Sequence, residues 1–145
     1  MTVPSRKPLT DALKSMLETA TTRPVGVLRA PIINGEAAQL PYVVIFPDKG
    51  GRFMGPPLTA PNADAAFPYM IKCVGGREDQ TELLADRVRT AILGRESDGS
   101  FSTGLTPTGL TVMDRQPGLD STGELRQTGK ISEIDDFYII VVTTS

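Results

Sequence analysis

Apolar positions recur at two different periods along this chain. Leu9, Ala12, Leu13, Met16 and Leu17 fall at i, i+3, i+4, i+7 and i+8, the stripe of an amphipathic helix. Pro8 fits its first turn, and Arg23-Pro24 lies beyond its end. Leu84, Val88, Ala91 and Ile92, widened by Leu83, predict a second helix. Asp79 followed by Glu82 resembles a capping arrangement at its start, and Gly94 is its stop.

Between and after the helices the period drops to two or disappears. Val25 to Leu28 reads as a short strand stopped by Pro31, and Asn34-Gly35 marks a tight turn for a small hairpin. Tyr42 to Phe46 is apolar on both faces, as in an interior strand. Phe67 to Val74 alternates, with Pro68 requiring an edge, a strand start or a bulge because it lacks a donor. Leu110 to Arg115 gives another strand, and Ile131 with Phe137 to Val142 reads as a central one. Residues 94–109 and 116–129 read as Gly/Ser/Thr-rich and mobile connections, with no internal repeat.

This order predicts an α+β fold, with two helices packed on one face of a small mixed or antiparallel sheet. A single domain spans residues 1–145, near the usual domain size. Because the strands carry hydrophobes on both sides, the other face of the sheet must be covered or unusually apolar.

A long Pro/Gly-rich loop, roughly residues 47–65, separates two of the strands, and unstructured connections of that length are often functional. It carries Phe53, Met54 and Leu58 between Pro47, Pro56, Pro57 and Pro61. Such a segment has little ordering entropy to lose on meeting a partner, which points to a docking arm. Folding back onto its own sheet is the competing reading. Arg52, Phe53, Met54 and Leu58 are therefore the first interface candidates, with Arg87 and Arg89 on the second helix next. Those two arginines equally suit a solvated face beside Glu82 and Asp86.

Composition narrows the chemistry. The apolar share is 39% with no Trp, so the core rests on aliphatic residues. The formal net charge of −2 argues against a phosphate-backbone binder. It is uneven: residues 1–72 carry eight Lys/Arg and five Asp/Glu, and residues 73–145 carry seven and twelve. That dipole fits either surface scatter or head-to-tail stacking.

No histidine occurs, which removes His-activated nucleophiles and His-based zinc sites. Cys73 is alone and reads as a small buried hydrophobe. The start of the chain lacks the apolar core of a signal peptide, and no apolar run is long enough to span a membrane, so the expected compartment is a reducing cytoplasm. Residues 94–100 superficially suggest a phosphate loop but lack its terminal Gly-Lys-Ser/Thr. Glu133, Asp135 and Asp136 form an acidic group before the last strand, read as solvated charges that resist stray pairing, or as a magnesium or calcium site. No catalytic residue, cofactor site or metal site is assigned.

The chain resembles the tail terminator (tail completion) proteins of long-tailed bacteriophages. The residues that carry this are Leu40-Pro41-Tyr42-Val43-Val44, Gly50-Gly51-Arg52-Phe53-Met54-Gly55-Pro56-Pro57-Leu58, Asp64-Ala65 and Leu84-Ala85-Asp86-Arg87-Val88-Arg89. The likeness covers most of residues 9–142 and is sharpest over 40–93. It implies a structural virion protein forming a ring of its own copies, usually a hexamer, at the head-proximal end of the tail. Such a ring ends tube polymerisation by the major tail tube protein and meets the head-tail connector protein. DNA passes through its lumen without specific binding. The implied location is the virion tail, after assembly in the host cytoplasm. Alternatives are a head-closure or adaptor subunit at the same junction, or a small metal-dependent enzyme or ligand-binding α+β domain using the acidic group.

Overall fold

A computed structural model describes residues 3–48, 51–54, 63–122 and 125–144, and the side chains of all of these except 54 and 119–122. Arg6–Thr21 forms α1, and its predicted stripe is the buried side: Leu9, Leu13 and Leu17 are fully inaccessible. Each contributes about 1.5–3 kcal/mol by burial. Thr22 closes the helix in a left-handed conformation, its N–H bonded to Glu18 O. Val25–Val27 (β1) then runs parallel to Tyr42–Pro47 (β4). Ile32–Ile33 (β2) and Glu36–Ala37 (β3) make the small hairpin expected at Asn34-Gly35, where both residues have positive φ.

Arg52–Met54 (β5) pairs antiparallel with the start of Asp64–Gly75 (β6), and β4 pairs with the rest of the same edge of β6. The segment expected to lack secondary structure thus carries a strand. β4 and β5 both pair with one edge of β6, and residues 49–50 and 55–62 lie outside the described residues. Just past β4, the Pro68 carbonyl accepts from the Asp48 N–H. Pro68, which has no donor, falls between the β4 and β5 registers on that edge of β6.

Glu78–Leu93 forms α2. It starts two residues earlier than the Asp79–Glu82 pattern suggested. Arg77 is its N-cap without a side-chain cap bond, and Gln80 Oε1 accepts the Gly76 N–H at 2.8 Å. Gly75 is required here, because a Cβ would lie 2.5 Å from Thr81 Oγ1. That closeness lets Thr81 donate to Ser132 O at 3.1 Å and fix the helix start on the sheet.

Leu110–Thr122 (β7), Arg126–Thr128 (β8) and Ile131–Thr144 (β9) build a second long hairpin. Residues 116–129, expected to be a mobile connection, are mostly strand. The main sheet runs β1-β4-β6-β9-β7, with β5 beside β6 and β8 beside β9. It is mixed, through the parallel β1–β4 pair, and both helices pack on one face as the pattern predicted.

Odd-numbered residues of β6 and even-numbered residues of β9 face the helices and build the core with α1 and α2. The opposite face carries Ala66, Pro68 and Met70 beside Phe137, Ile139 and Val141, all half-buried only by their neighbours. The connection from β1 crosses over Gly26, where a Cβ would meet Arg29 O at 2.2 Å and Pro31 N at 2.8 Å. Among the described residues no element lies over the remaining strands on that side.

Candidate interaction surface

α1 anchors the root of the β4/β5–β6 hairpin. Arg6, at its first turn, donates from Nη1 to Asp48 O at 2.8 Å and from Nη2 to Pro68 O, linking the residue after β4 to β6. Its guanidinium lies over the rings of Phe67 and Tyr69, 5.2 and 4.8 Å from their centroids. Tyr69 in turn bonds Thr10 at 2.8 Å. Burial raises the Tyr69 pKa, so this hydroxyl stays protonated.

Beyond that anchor stands Phe53. Paired with Ala65, which faces the helices, it projects on the helix side of the sheet. Its ring meets Phe67 edge-on at 5.7 Å, yet Phe53 is 63% exposed. Arg52, paired with Ala66, is exposed on the opposite face. Leu58 and the Met54 side chain lie outside the described residues.

The other two arginines separate. Arg87 is exposed at a shallow cleft between α2 and residues Ala20 and Thr103. Arg89 is engaged within the subunit. Its Nε and Nη2 donate to the two oxygens of Asp136 at 2.9 and 3.1 Å, and Nη1 donates to Asp86 at 3.0 Å. The Asp136 bonds hold the Arg89 pKa above its ordinary value.

Strand alternation divides the acidic group. Asp136 faces the helices and is 1% exposed, so it is no solvated edge charge; burial on the inner face and the Arg89 fork explain its place. Glu133 and Asp135 lie on the opposite face, paired with Lys72 and Arg126. The three carboxylates do not converge. Among the described residues no three metal-ligating side chains gather.

Arg115 was not singled out by its sequence context, where it borders a polar edge strand. Its side chain turns inward, 5% exposed, with long contacts to Ala91 O at 3.4 Å and Ile92 O at 3.5 Å at the end of α2. The negative end of the helix dipole faces it there. Phe101 lies 4.5 Å from its guanidinium and 4.2 Å from that of Arg95. Burial lowers the Arg115 pKa. Leu28, Ile32 and Ile33, exposed around the small hairpin, form a second apolar group that the pattern placed in strands without marking it as surface.

A groove runs between α1 and residues 103–108, lined by hydroxyls, small apolar groups, Met16 and the charged pair Lys7 and Asp11, and it contains none of the interface candidates. Cys73 is buried on the inner face, and burial pushes its thiol up to about 12. No helix among the described residues is long and apolar enough to cross a membrane.

No protein-family model matches the chain, and no curated protein matches it in sequence.

Proposed function

We propose that this protein is a non-enzymatic assembly subunit that forms a ring, of six copies on the resemblance, at the head-proximal end of a phage tail tube. The ring ends tube growth and offers its far side to the head-tail connector. One observation carries the reading: a long hairpin, its root clamped by Arg6, holds Phe53 out into solvent. An anchored arm with an exposed aromatic suits docking, because little freedom is lost on binding and the ring contributes a large apolar contact. Head-to-tail association of unlike patches closes into a ring when the rotation per subunit completes a circle.

The resemblance over residues 40–93 falls on this same arm and on α2, so the likeness and the exposed surface coincide. The divided acidic group favours assembly over metal chemistry, since the carboxylates on the two faces cannot share an ion.

The test is a polymerisation assay with purified tail-tube protein. Added subunit is expected to cap growing tubes and shorten them in proportion to its concentration. Unchanged tube length at saturating subunit, with no subunit at the tube ends, would contradict the reading.

A further inference from the structure

The outer face of the sheet has an apolar middle and charged ends, the layout of an interface core with a polar rim. Across the strands its residues fall into rows fixed by register. Phe46, Met70 and Phe137 share a row; Pro68 and Ile139 share the next. Arg52, Ala66, Val141 and Asp114 share a third, with Arg52 at one edge and Asp114 at the other. Lys72 and Asp135 share a row toward the far end.

We infer that this face binds the same face of a second copy, about a two-fold axis that runs along the strands between β6 and β9. That operation exchanges β6 with β9 and β5 with β7 while keeping each row opposite itself. It sets Met70 against the partner copy's Phe137 and Pro68 against its Ile139. It sets Lys72 against Asp135 and Arg52 against Asp114, so each of these opposite-charge contacts forms twice. Phe46 falls toward Gly118, which has no side chain and lies so close to Phe137 that a Cβ would be 3.0 Å from the Phe137 Cβ. Other axes in the plane lose this match; one running across the strands brings the acidic end against Asp64 and Thr143.

The face has the extent that a second copy needs. About twenty outward positions, at about 4.8 Å between strands and about 6.7 Å between outward neighbours, give a footprint of roughly 650 Å². A standard interface needs about 600–1,000 Å² from each partner. Aligned sheets cross at about −30°, so the rows nearest the axis, Met70 with Phe137 and Pro68 with Ile139, carry the closest packing.

This pairing goes beyond the ring and uses a different side of the subunit, since Phe53 projects on the helix side. The experiment is sedimentation equilibrium of the full chain, with circular dichroism to confirm folding. The native protein is expected in dimers or multiples of dimers. Phe137→Lys is expected to fold and to weaken pairing at least 100-fold, by burying an ammonium group against each Met70 beside the axis. Arg52→Cys with Asp114→Cys, in a Cys73→Ala background, is expected to give a covalent dimer on oxidation; the two sites are three strand spacings apart within one copy and cannot bridge internally. Arg52→Cys with Lys130→Cys, at opposite ends of the sheet, should not cross-link.

A native monomer at hundreds of micromolar overturns the pairing. So does a folded Phe137→Lys of unchanged mass, or equal cross-linking by both cysteine pairs. Native rings with no dimeric pairing overturn the pairing and leave the ring standing; dimers without rings do the reverse.

Discussion

Arg89 of α2 grips Asp136 of β9 with two hydrogen bonds, of 2.9 and 3.1 Å, and the two residues differ in burial. The Arg89 side chain is 32% exposed and also reaches Asp86, whereas Asp136 is 1% exposed. Losing Arg89 takes the guanidinium from a carboxylate that is 1% exposed; losing the carboxylate leaves an arginine with a second partner and access to water. Arg89→Ala is therefore expected to cost about 3 kcal/mol and Asp136→Asn about half that. Urea denaturation of both variants checks the order, and the reverse order would show that the guanidinium contributes less than the other contacts of Asp136.

Arg115 tests the opposite case, a buried cation with no carboxylate partner among the described residues. Its Nε has no acceptor among them, its bonds to Ala91 O and Ile92 O are long, and burial lowers its pKa. Arg115→Met keeps most of the volume over Phe101 and removes the desolvated charge, so it is expected to change stability by less than about 1 kcal/mol in either direction. Arg115→Ala opens a cavity and should cost about 2–3 kcal/mol. Thermal melts of the two variants separate packing from charge.

Phe53 bears on assembly. At 63% exposure its ring contributes little to the folded subunit beyond the edge contact with Phe67. Phe53→Ser should lower folding stability by less than about 1 kcal/mol and weaken subunit association by at least tenfold. Equilibrium unfolding and light scattering on the same preparation measure the two effects. Loss of the folded subunit would place that ring in the core instead.

Much of this architecture was legible wherever side chains repeat against the core. The stripes of Leu9 to Leu17 and Leu84 to Ile92, the two-sided Tyr42–Phe46 run and the Asn34-Gly35 turn all became the elements they indicate. That the outer face would be apolar or covered was also legible, because Ile139 and Val141 alternate with Ile140 and Val142, which face the helices; which of the two holds was not. The strand over 116–122 was not, because it is an edge held by backbone bonds to β9, and Pro117 and Gly118 there look like a loop. The inward turn of Asp136 was hidden by Glu133 and Asp135, since a run of acids reads as surface until the alternation of a strand assigns each to a face. Arg115 gave no signal, because its environment is made by α2 and Phe101 from elsewhere in the chain.

Alkaline pH should unfold the protein early. Burial raises the pKa of Cys73 from 9.0 to about 12, and burial also raises Tyr69 and Tyr138 above 10.0. In each case the folded state keeps a proton that the unfolded chain releases. Stability is full below the unfolded pKa and falls as pH rises toward the folded one. Cys73 starts this decline near pH 9, adding at most about 1.4 kcal/mol per pH unit. The melting temperature of Cys73→Ala should fall less than that of the native protein between pH 9 and 10. Parallel decline in both would show that the thiol is not responsible.

The central claim is that this subunit acts by joining copies of itself into a ring, and negative-stain electron microscopy of the purified protein tests it most directly. The account predicts closed rings with a central opening, uniform in diameter and dispersed in Phe53→Ser. A uniform field of separate subunits, at concentrations where the native protein is folded, would contradict it.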